Sequence, residues 1–139
     1  MKQIFFNLEI ETKGQNLYEF TPQSIKWVEK NRFSEGILNL SILHTSASLI
    51  IQENADPDVK SDLINYFNKI VPMNDKLYIH NSEGVDDMPA HIKSAITNNQ
   101  ISLSIKNRKL LLGTWQGIYL FEHRIKKQAR VIIHHFIGD

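Results

Sequence analysis

Residues 80–91 combine side chains that bind cations and transfer protons with few apolar side chains. The segment reads His-Asn-Ser-Glu-Gly-Val-Asp-Asp-Met-Pro-Ala-His, so two histidines and three carboxylates lie within twelve residues. It can add little to a hydrophobic core, and we expect the apolar segments on either side to position it. Neutral imidazole and carboxylate are common ligands of divalent metals. The composition therefore indicates a site that binds a cation or moves protons.

Three histidines lie at the ends of predicted elements of secondary structure. His44 follows an apolar strand, His80 follows a strand-like segment, and His91 lies in the first turn or so of a helix. Functional groups are common at such ends, because the scaffold fixes the backbone there while the side chain reaches open space. The three imidazoles suit a divalent metal with one position open to water or substrate. The alternative is structural, because the spacing matches no compact ligand motif.

Three carboxylates could act with these histidines. Asp86 and Asp87 suggest a general base, but Asp87 is also explained as the N-cap of the helix that follows, whereas Asp86 is not. Glu122 lies in a predicted strand on the side that faces apolar residues. A carboxylate in that position must be paired or must serve a site. Arg124 and Arg130 are its candidate partners.

The segment 113–117, Gly-Thr-Trp-Gln-Gly, allows two interpretations. Trp115 is either a core side chain beside a turn or, with Gln116, a platform for a flat ring ligand. A phosphate-binding loop is not indicated, because no lysine follows and no helix begins there. His123 is predicted to lie beside a basic loop and to be solvated.

Length and composition limit the classes of protein. The 139 residues fit one domain spanning 1–139, and the net charge of +1 argues against broad nucleic-acid binding. Because the chain has no cysteine, a metal must be bound by histidine, carboxylate or backbone oxygen. The candidate metals are zinc, magnesium and manganese. No signal peptide or membrane-spanning segment is predicted, so we expect a cytoplasmic protein without a membrane partner.

Hydrophobic periodicity predicts about eight strands and three helices. The predicted strands span 3–12, 17–20, 37–43, 47–51, 101–105, 110–112, 115–122 and 129–137, with a further short one at 76–80. The last two long strands are predicted to pair as a hairpin. One helix is predicted from Thr21, one over 57–70 with Asp56 as its N-cap, and one from Asp87. This order fits an α+β fold, with helices on one side of a mostly antiparallel or mixed sheet.

The chain resembles the YjbQ family in the order and spacing of four segments. They are His-Thr-Ser-Ala-Ser at 44–48, Glu-Asn-Ala-Asp-Pro at 53–57, Asp-Asp-Met-Pro-Ala-His at 86–91 and Gly-Thr-Trp-Gln-Gly-Ile-Tyr at 113–119. The likeness continues through Glu122 and Arg124 to Arg130 and covers essentially the whole chain. It implies a small α+β domain, a homotrimer, and a cleft near the subunit boundary. It also implies a weak secondary thiamine-phosphate synthase activity.

The resemblance also implies roles for individual residues. The reaction joins a pyrimidine diphosphate to a thiazole phosphate with loss of pyrophosphate, which needs a divalent metal and further cations. The metal would be bound or surrounded by His44, His80 and His91. The catalytic groups would be His80, Asp86, Glu122 and Arg130. Arg130 and Lys127 would bind phosphate, Trp115 would stack on a ring, and Gln116 would contact the substrate.

Two other functions use the same residues. One is a metal-dependent hydrolase of a small phosphorylated or ring compound, in which a metal-bound hydroxide attacks the substrate. The other is a trimeric binding protein without turnover, whose polar cluster is an interface network. Release of phosphate without a coupling partner separates the hydrolase from the transferase, and absence of bound metal indicates the binding protein.

Overall fold

A computed structural model describes residues 1–139, apart from the side chain of Asp75. Its strands and helices confirm the predicted α+β fold class. The strands are β1 (Lys2–Thr12), β2 (Asn16–Glu19), β3 (Gly36–Ile42), β4 (Ala47–Glu53), β5 (Gln100–Lys106), β6 (Lys109–Leu110), β7 (Gln116–Glu122) and β8 (Gln128–Gly138). The helices are α1 (Thr21–Asn31), α2 (Pro57–Ile70) and α3 (Asp87–Ile96).

The strands form two antiparallel sheets where the sequence indicated one. The larger sheet has the order β1-β8-β3-β5-β6 and the smaller one the order β2-β7-β4. The predicted hairpin of the last two long strands is wrong, because β7 pairs with β2 and β4 while β8 pairs with β1 and β3. Side chains of both sheets, such as Phe136 of the larger and Leu120 of the smaller, meet in one apolar core. The loop between β7 and β8 therefore passes from one sheet to the other.

Strand β7 is buried on both faces. Ile118 and Leu120 belong to the core between the sheets, whereas Tyr119 and Phe121 belong to a second cluster beneath α2. Because strand side chains alternate between faces, Glu122 continues the row that points into the core. The end of β7 thus brings a carboxylate into the interior of the protein.

The helices begin where the sequence predicts, with different local contacts. At the start of α2, Asp56 Oδ1 accepts a hydrogen bond from the backbone N–H of Asp58 at 2.9 Å, as expected of an N-cap. Thr21 does not cap α1; its hydroxyl donates to Glu19 at 2.8 Å. In the part of the chain that the structure describes, no helix is long and apolar enough to cross a membrane.

The strand predicted at 76–80 is wrong. The segment instead begins in a short 3₁₀ turn, Asp75–Leu77, and the Ile79 side chain is fully exposed. Its apolar residues alternate as in a strand but pair with no sheet. The segment leads directly into the polar loop that precedes α3 and places His80 beside that helix.

His134 lies in the core, although no sequence pattern predicted its burial. His134 is fully buried among aromatic rings, and its Nε2 lies 2.8 Å from the Ser24 hydroxyl of α1. Burial lowers the pKa of His134 to about 4, with a small opposing effect from the Ile132 carbonyl. The imidazole is therefore neutral in the folded protein at neutral pH.

Acidification from pH 7 to 5 should therefore lower the free energy of unfolding. The unfolded imidazole takes up a proton near pH 6.5 and the folded one near pH 4, so protons favour the unfolded state between these values. One such group changes stability by on the order of 1 kcal/mol per pH unit. Urea unfolding at pH 7, 6 and 5 measures the slope. We expect a shallower slope in His134→Gln; an unchanged slope in that variant would contradict this account.

Candidate metal centre

Three side chains converge at the start of α3. Asp87 is the first residue of the helix, and His91 follows one turn later on the same face, as the i, i+4 spacing requires. Asp87 Oδ2 lies 2.7 Å from His80 Nε2 and 3.2 Å from His91 Nε2. One nitrogen or oxygen from each residue lies within 4.8 Å of the others. Ligand atoms of a tetrahedral zinc lie about 3.4 Å apart, so small adjustments would admit an ion.

The orientation of His91 is fixed by a backbone carbonyl. His91 Nδ1 lies 2.9 Å from the Thr45 carbonyl oxygen, which can only accept, so Nδ1 carries the proton and donates it. The lone pair of Nε2 then points at Asp87 Oδ2, itself an acceptor. Two acceptors in contact repel unless a second proton or a metal ion lies between them. A ring N–H donated to a carbonyl is also the usual arrangement of a metal-binding histidine.

Asp87 is held rigidly in the cluster. Its side chain is 2% exposed, and Oδ1 accepts a hydrogen bond from Arg124 Nη1 at 2.6 Å, which leaves Oδ2 for the two histidines. Burial alone would raise the pKa of Asp87, but the His80 hydrogen bond and the Arg124 charge outweigh it and lower the pKa. The carboxylate is therefore ionised at neutral pH, as a metal ligand must be.

Asp86, the expected general base, points away from the histidines. Its Oδ2 accepts from Arg124 Nε and from the backbone N–H of Ile125, each at 2.9 Å. Arg124 also donates to the Glu83 carbonyl oxygen at 3.0 Å. Asp86 thus joins the loop before α3 to the loop after β7, and Arg124 positions both neighbouring aspartates. The N-cap interpretation of Asp87 is wrong, since the residue before the helix is Asp86 and no side chain caps it.

His44 stands apart from the three converging side chains. Its Nε2 accepts a hydrogen bond from the backbone N–H of Val131 at 3.0 Å. Burial, and then the nearby Arg130 charge, lower the pKa of His44. The ring lines a cavity that also reaches His91, so His44 adjoins the cluster without joining it.

Glu122 and Arg130 form a buried ion pair. Arg130 Nε donates to Glu122 Oε1 at 2.8 Å and Nη2 donates to Oε2 at 2.6 Å. The Thr12 hydroxyl and two backbone N–H groups also donate to the carboxylate. Arg130 Nη2 further contacts Ser46, in the turn that follows His44. Of the expected phosphate-binding groups, Arg130 is thus engaged with Glu122, while Lys127 lies exposed in the loop before β8.

Trp115 and Gln116 lie at the other end of the smaller sheet. β7 runs from Gln116 to Glu122, and strand geometry separates its ends by about 20 Å. Trp115 is 62% exposed, so it is not a core side chain. Gln116 Oε1 accepts from the Gly113 N–H at 2.7 Å. One chain alone does not bring this pair to the histidines.

Two side chains near the cluster, His123 and Lys93, are buried although the sequence did not predict it. The prediction that His123 is solvated is wrong: it is buried, and its Nε2 lies 2.9 Å from the Ser48 hydroxyl. Burial lowers the pKa of His123 to about 3, with smaller contributions from Lys93 and Arg130. Lys93 of α3 is also buried and donates to Asn68 Oδ1 at 2.5 Å. A helix-spaced lysine ordinarily indicates a solvated face, so no sequence signal marked it.

Comparison with known proteins places the chain in a family. A family model described as UPF0047 protein YjbQ-like matches residues 6–139. The chain belongs to the YjbQ-like family. A UPF0047 protein of Synechocystis is 46% identical to this YjbQ-like chain over 132 residues, which cover 95% of the chain and 90% of that protein. YjbQ of Escherichia coli O157:H7 is 38% identical over 133 residues, which cover 95% of the chain and 96% of that protein.

Solved structures share the YjbQ-like fold. A YjbQ/UPF0047 family protein of Clostridium acetobutylicum matches with a TM-score of 0.83 at 31% identity, covering 96% of this chain and 99% of that one. A Sulfolobus solfataricus protein described as YbjQ-like and of unknown function matches with a TM-score of 0.86 at 20% identity, covering 99% of this chain and 100% of that one. The second match shows a likeness of fold alone.

The expected thiamine-phosphate synthase function is wrong as an assignment for this YjbQ-like chain. Relatives are described only as UPF0047 proteins, and the Sulfolobus structure is described as a protein of unknown function. These descriptions name no activity that could be assigned to this chain by similarity. The site gives a physical reason for the same correction, since the guanidinium expected to bind phosphate is paired with Glu122.

Proposed function

We propose that this chain binds one divalent transition-metal ion through His80, Asp87 and His91. The observation that carries the proposal is the contact between the His91 Nε2 lone pair and Asp87 Oδ2, which needs a positive charge between the two atoms. A metal ion provides that charge and binds the Nε2 lone pair, which faces Asp87 because Nδ1 donates its proton to the Thr45 carbonyl. Arg124 supports the same arrangement by holding the other carboxylate oxygen.

The three ligands leave the ion accessible from one side. Asp87 is buried, whereas the side chains of His80 and His91 are 43% and 32% exposed. Structural zinc sites are closed by four protein ligands, while sites that act on substrates keep a position open. We therefore propose an open centre of the second kind. A bound ion there would act as a Lewis acid and lower the pKa of a water molecule bound to it.

The ligand types favour some metals over others. Imidazole suits zinc, iron, copper and nickel, whereas magnesium and calcium prefer oxygen ligands. Two histidines and one carboxylate occur both in catalytic zinc sites and in non-haem iron(II) sites. We propose zinc or iron(II) as the bound metal. Magnesium and manganese, also expected from the sequence, are less well matched by two imidazoles.

Titration of chelator-treated, tag-free protein with Co²⁺ and Zn²⁺ tests the proposal. We expect saturation at one ion per chain, with a visible Co²⁺ spectrum of low-coordinate character that Zn²⁺ removes by competition. Elemental analysis of freshly purified protein identifies the metal taken up in the cell. Absence of saturable binding of either ion would refute the metal centre and favour the non-catalytic binding protein.

We propose a homotrimer as well, on the basis of exposed apolar residues around the centre. Leu43, Ile79, Val85 and Ile125 are exposed, and each is adjacent in sequence to a residue of the site or its support. Exposed apolar residues grouped around a polar cleft are typical of an interface. We expect light scattering to give a trimer mass for the parent protein and a smaller mass for Ile79→Glu. A parent protein of monomer mass would refute assembly.

The cytoplasmic location stays a prediction.

A further inference from the structure

A cavity adjoins the proposed metal centre and shares one of its ligands. It has a volume of about 240 Å³ and lies between the turn after β3 and the face of α3. Its lining residues are His44, Thr45, His91, Ser94, Ala95 and Asn99. A water molecule occupies roughly 30 Å³ in the liquid, so the cavity has room for a single small ring. Any molecule in it would lie beside His91.

His44, which lines this cavity, carries one hydrogen-bond donor of fixed position. The Val131 N–H donates to His44 Nε2, so that nitrogen is unprotonated and the ring proton lies on Nδ1. Among the residues whose side chains the structure describes, none accepts a hydrogen bond from Nδ1. The lowered pKa of His44 agrees with a neutral ring. The His44 ring that lines the cavity therefore carries a neutral N–H group without an acceptor among the described residues.

The rest of the lining is uncharged or already engaged. The Thr45 carbonyl accepts from His91, and the Ser94 hydroxyl donates to the Ala47 carbonyl at 3.0 Å. Among the described residues that line the cavity, none is a lysine or an arginine. The nearby Arg130 is paired with Glu122. In the metal-free protein, a phosphate or carboxylate would enter without a compensating cation, and burial of an uncompensated charge is costly.

We infer that the cavity binds a small uncharged carbonyl compound, such as a cyclic amide or urea, whose oxygen accepts the His44 Nδ1 proton. The inference rests on the proposed metal centre, because the ligand would lie next to the ion held by His91. It differs from the phosphorylated substrate expected from the resemblance. His44 acts here as a ligand-binding residue and is not a metal ligand.

The test is a nuclear magnetic resonance titration of the protein labelled with ¹⁵N-histidine, first in the metal-free form and then loaded with Zn²⁺. The probes are 2-imidazolidinone, an uncharged cyclic urea, and inorganic phosphate. We expect saturable binding of the cyclic urea with a shift of the His44 Nδ1 resonance in both forms, and no saturable binding of phosphate in the metal-free form. Tighter binding of phosphate than of the cyclic urea to the metal-free form would overturn the inference.

Two variants make the test specific. His44→Gln places an amide oxygen where Nε2 accepts from Val131 but removes the Nδ1 donor, so urea binding should weaken about tenfold while Zn²⁺ binding stays unchanged. Ala95→Leu fills the cavity from α3 and should abolish urea binding, again without loss of Zn²⁺. Parental urea affinity in Ala95→Leu, or in a folded His44→Gln, would overturn the inference and leave the metal centre standing.

The two proposals fail in different ways. If the protein binds no Zn²⁺, the metal centre is refuted. The same urea titration on metal-free protein then decides the cavity separately, since the His44 donor does not depend on the ion. If Zn²⁺ binds at one equivalent and the cyclic urea does not saturate, only the cavity inference is refuted.

Discussion

His91→Ala should lose stoichiometric metal and lower the affinity for Co²⁺ and Zn²⁺ by at least about 100-fold. The variant removes one of three ligand atoms, and loss of a group that merely supports a ligand already costs 10- to 100-fold. Asp87→Asn should have a similar effect, because it keeps the shape of the side chain and removes the charge that attracts the ion. Elemental analysis and Co²⁺ titration of each variant measure the loss.

Glu83→Gln is the matched control for these variants. Glu83 lies in the loop that precedes α3. Its Oε1 is 3.9 Å from His80 Nε2, but its side chain is 63% exposed and belongs to none of the proposed ligand contacts. Glu83→Gln removes one negative charge, as Asp87→Asn does, but it removes no ligand. It should therefore leave the metal stoichiometry at one.

Arg124→Lys tests the role of Arg124 in positioning the two aspartates. A lysine cannot hold both aspartates in the bidentate manner, so the metal affinity should fall about 10- to 100-fold. Parental metal affinity in both His91→Ala and Asp87→Asn would refute the centre.

Sequence reasoning identified the segment that forms the cluster but assigned its aspartates differently from their positions in the structure. The composition of residues 80–91 marked His80 and His91, and the structure brings them together. Whether Asp86 or Asp87 faces the histidines depends on Arg124, which is 37 residues from Asp87 and arrives on the loop after β7. The i, i+4 spacing of Asp87 and His91 was the available local signal. This spacing was not distinctive, because an aspartate at the start of a helix is already explained as an N-cap.

Strand periodicity predicted most elements but not their partners. Alternation identifies a buried face, yet it does not say which sheet a strand joins, so β7 and β8 were assigned to one hairpin instead of two sheets. The same limit explains Lys93 and His123, whose burial depends on α2 and α3 packing near the end of β7. For Glu122, by contrast, the periodicity predicted the local environment correctly. Its place in an apolar row predicted a paired carboxylate, and Arg130 was one of its two named partners.

Glu122→Ala should lower the free energy of unfolding by about 3–5 kcal/mol, because it leaves the Arg130 guanidinium buried without its counter-charge. Glu122 is fully buried and Arg130 nearly so, so solvent cannot replace the carboxylate without opening the core. Denaturant unfolding at neutral pH measures the change. The exposed pair of the Met1 amino group and Asp139 gives the control, and Asp139→Ala should cost less than about 1 kcal/mol.

The double variant Glu122→Leu with Arg130→Met separates the cost of an unpaired charge from that of lost packing. Apolar side chains of similar length can replace a buried pair at little cost, so the double variant should be more stable than Glu122→Ala. It also separates structure from chemistry, since the pair lies outside the His80–Asp87–His91 contacts and the folded double variant should keep one metal ion per chain. Loss of the metal with unchanged stability would instead make Glu122 a functional group of the centre. Loss of stability with the metal retained would show that the ion pair stabilises the fold and takes no part in metal binding.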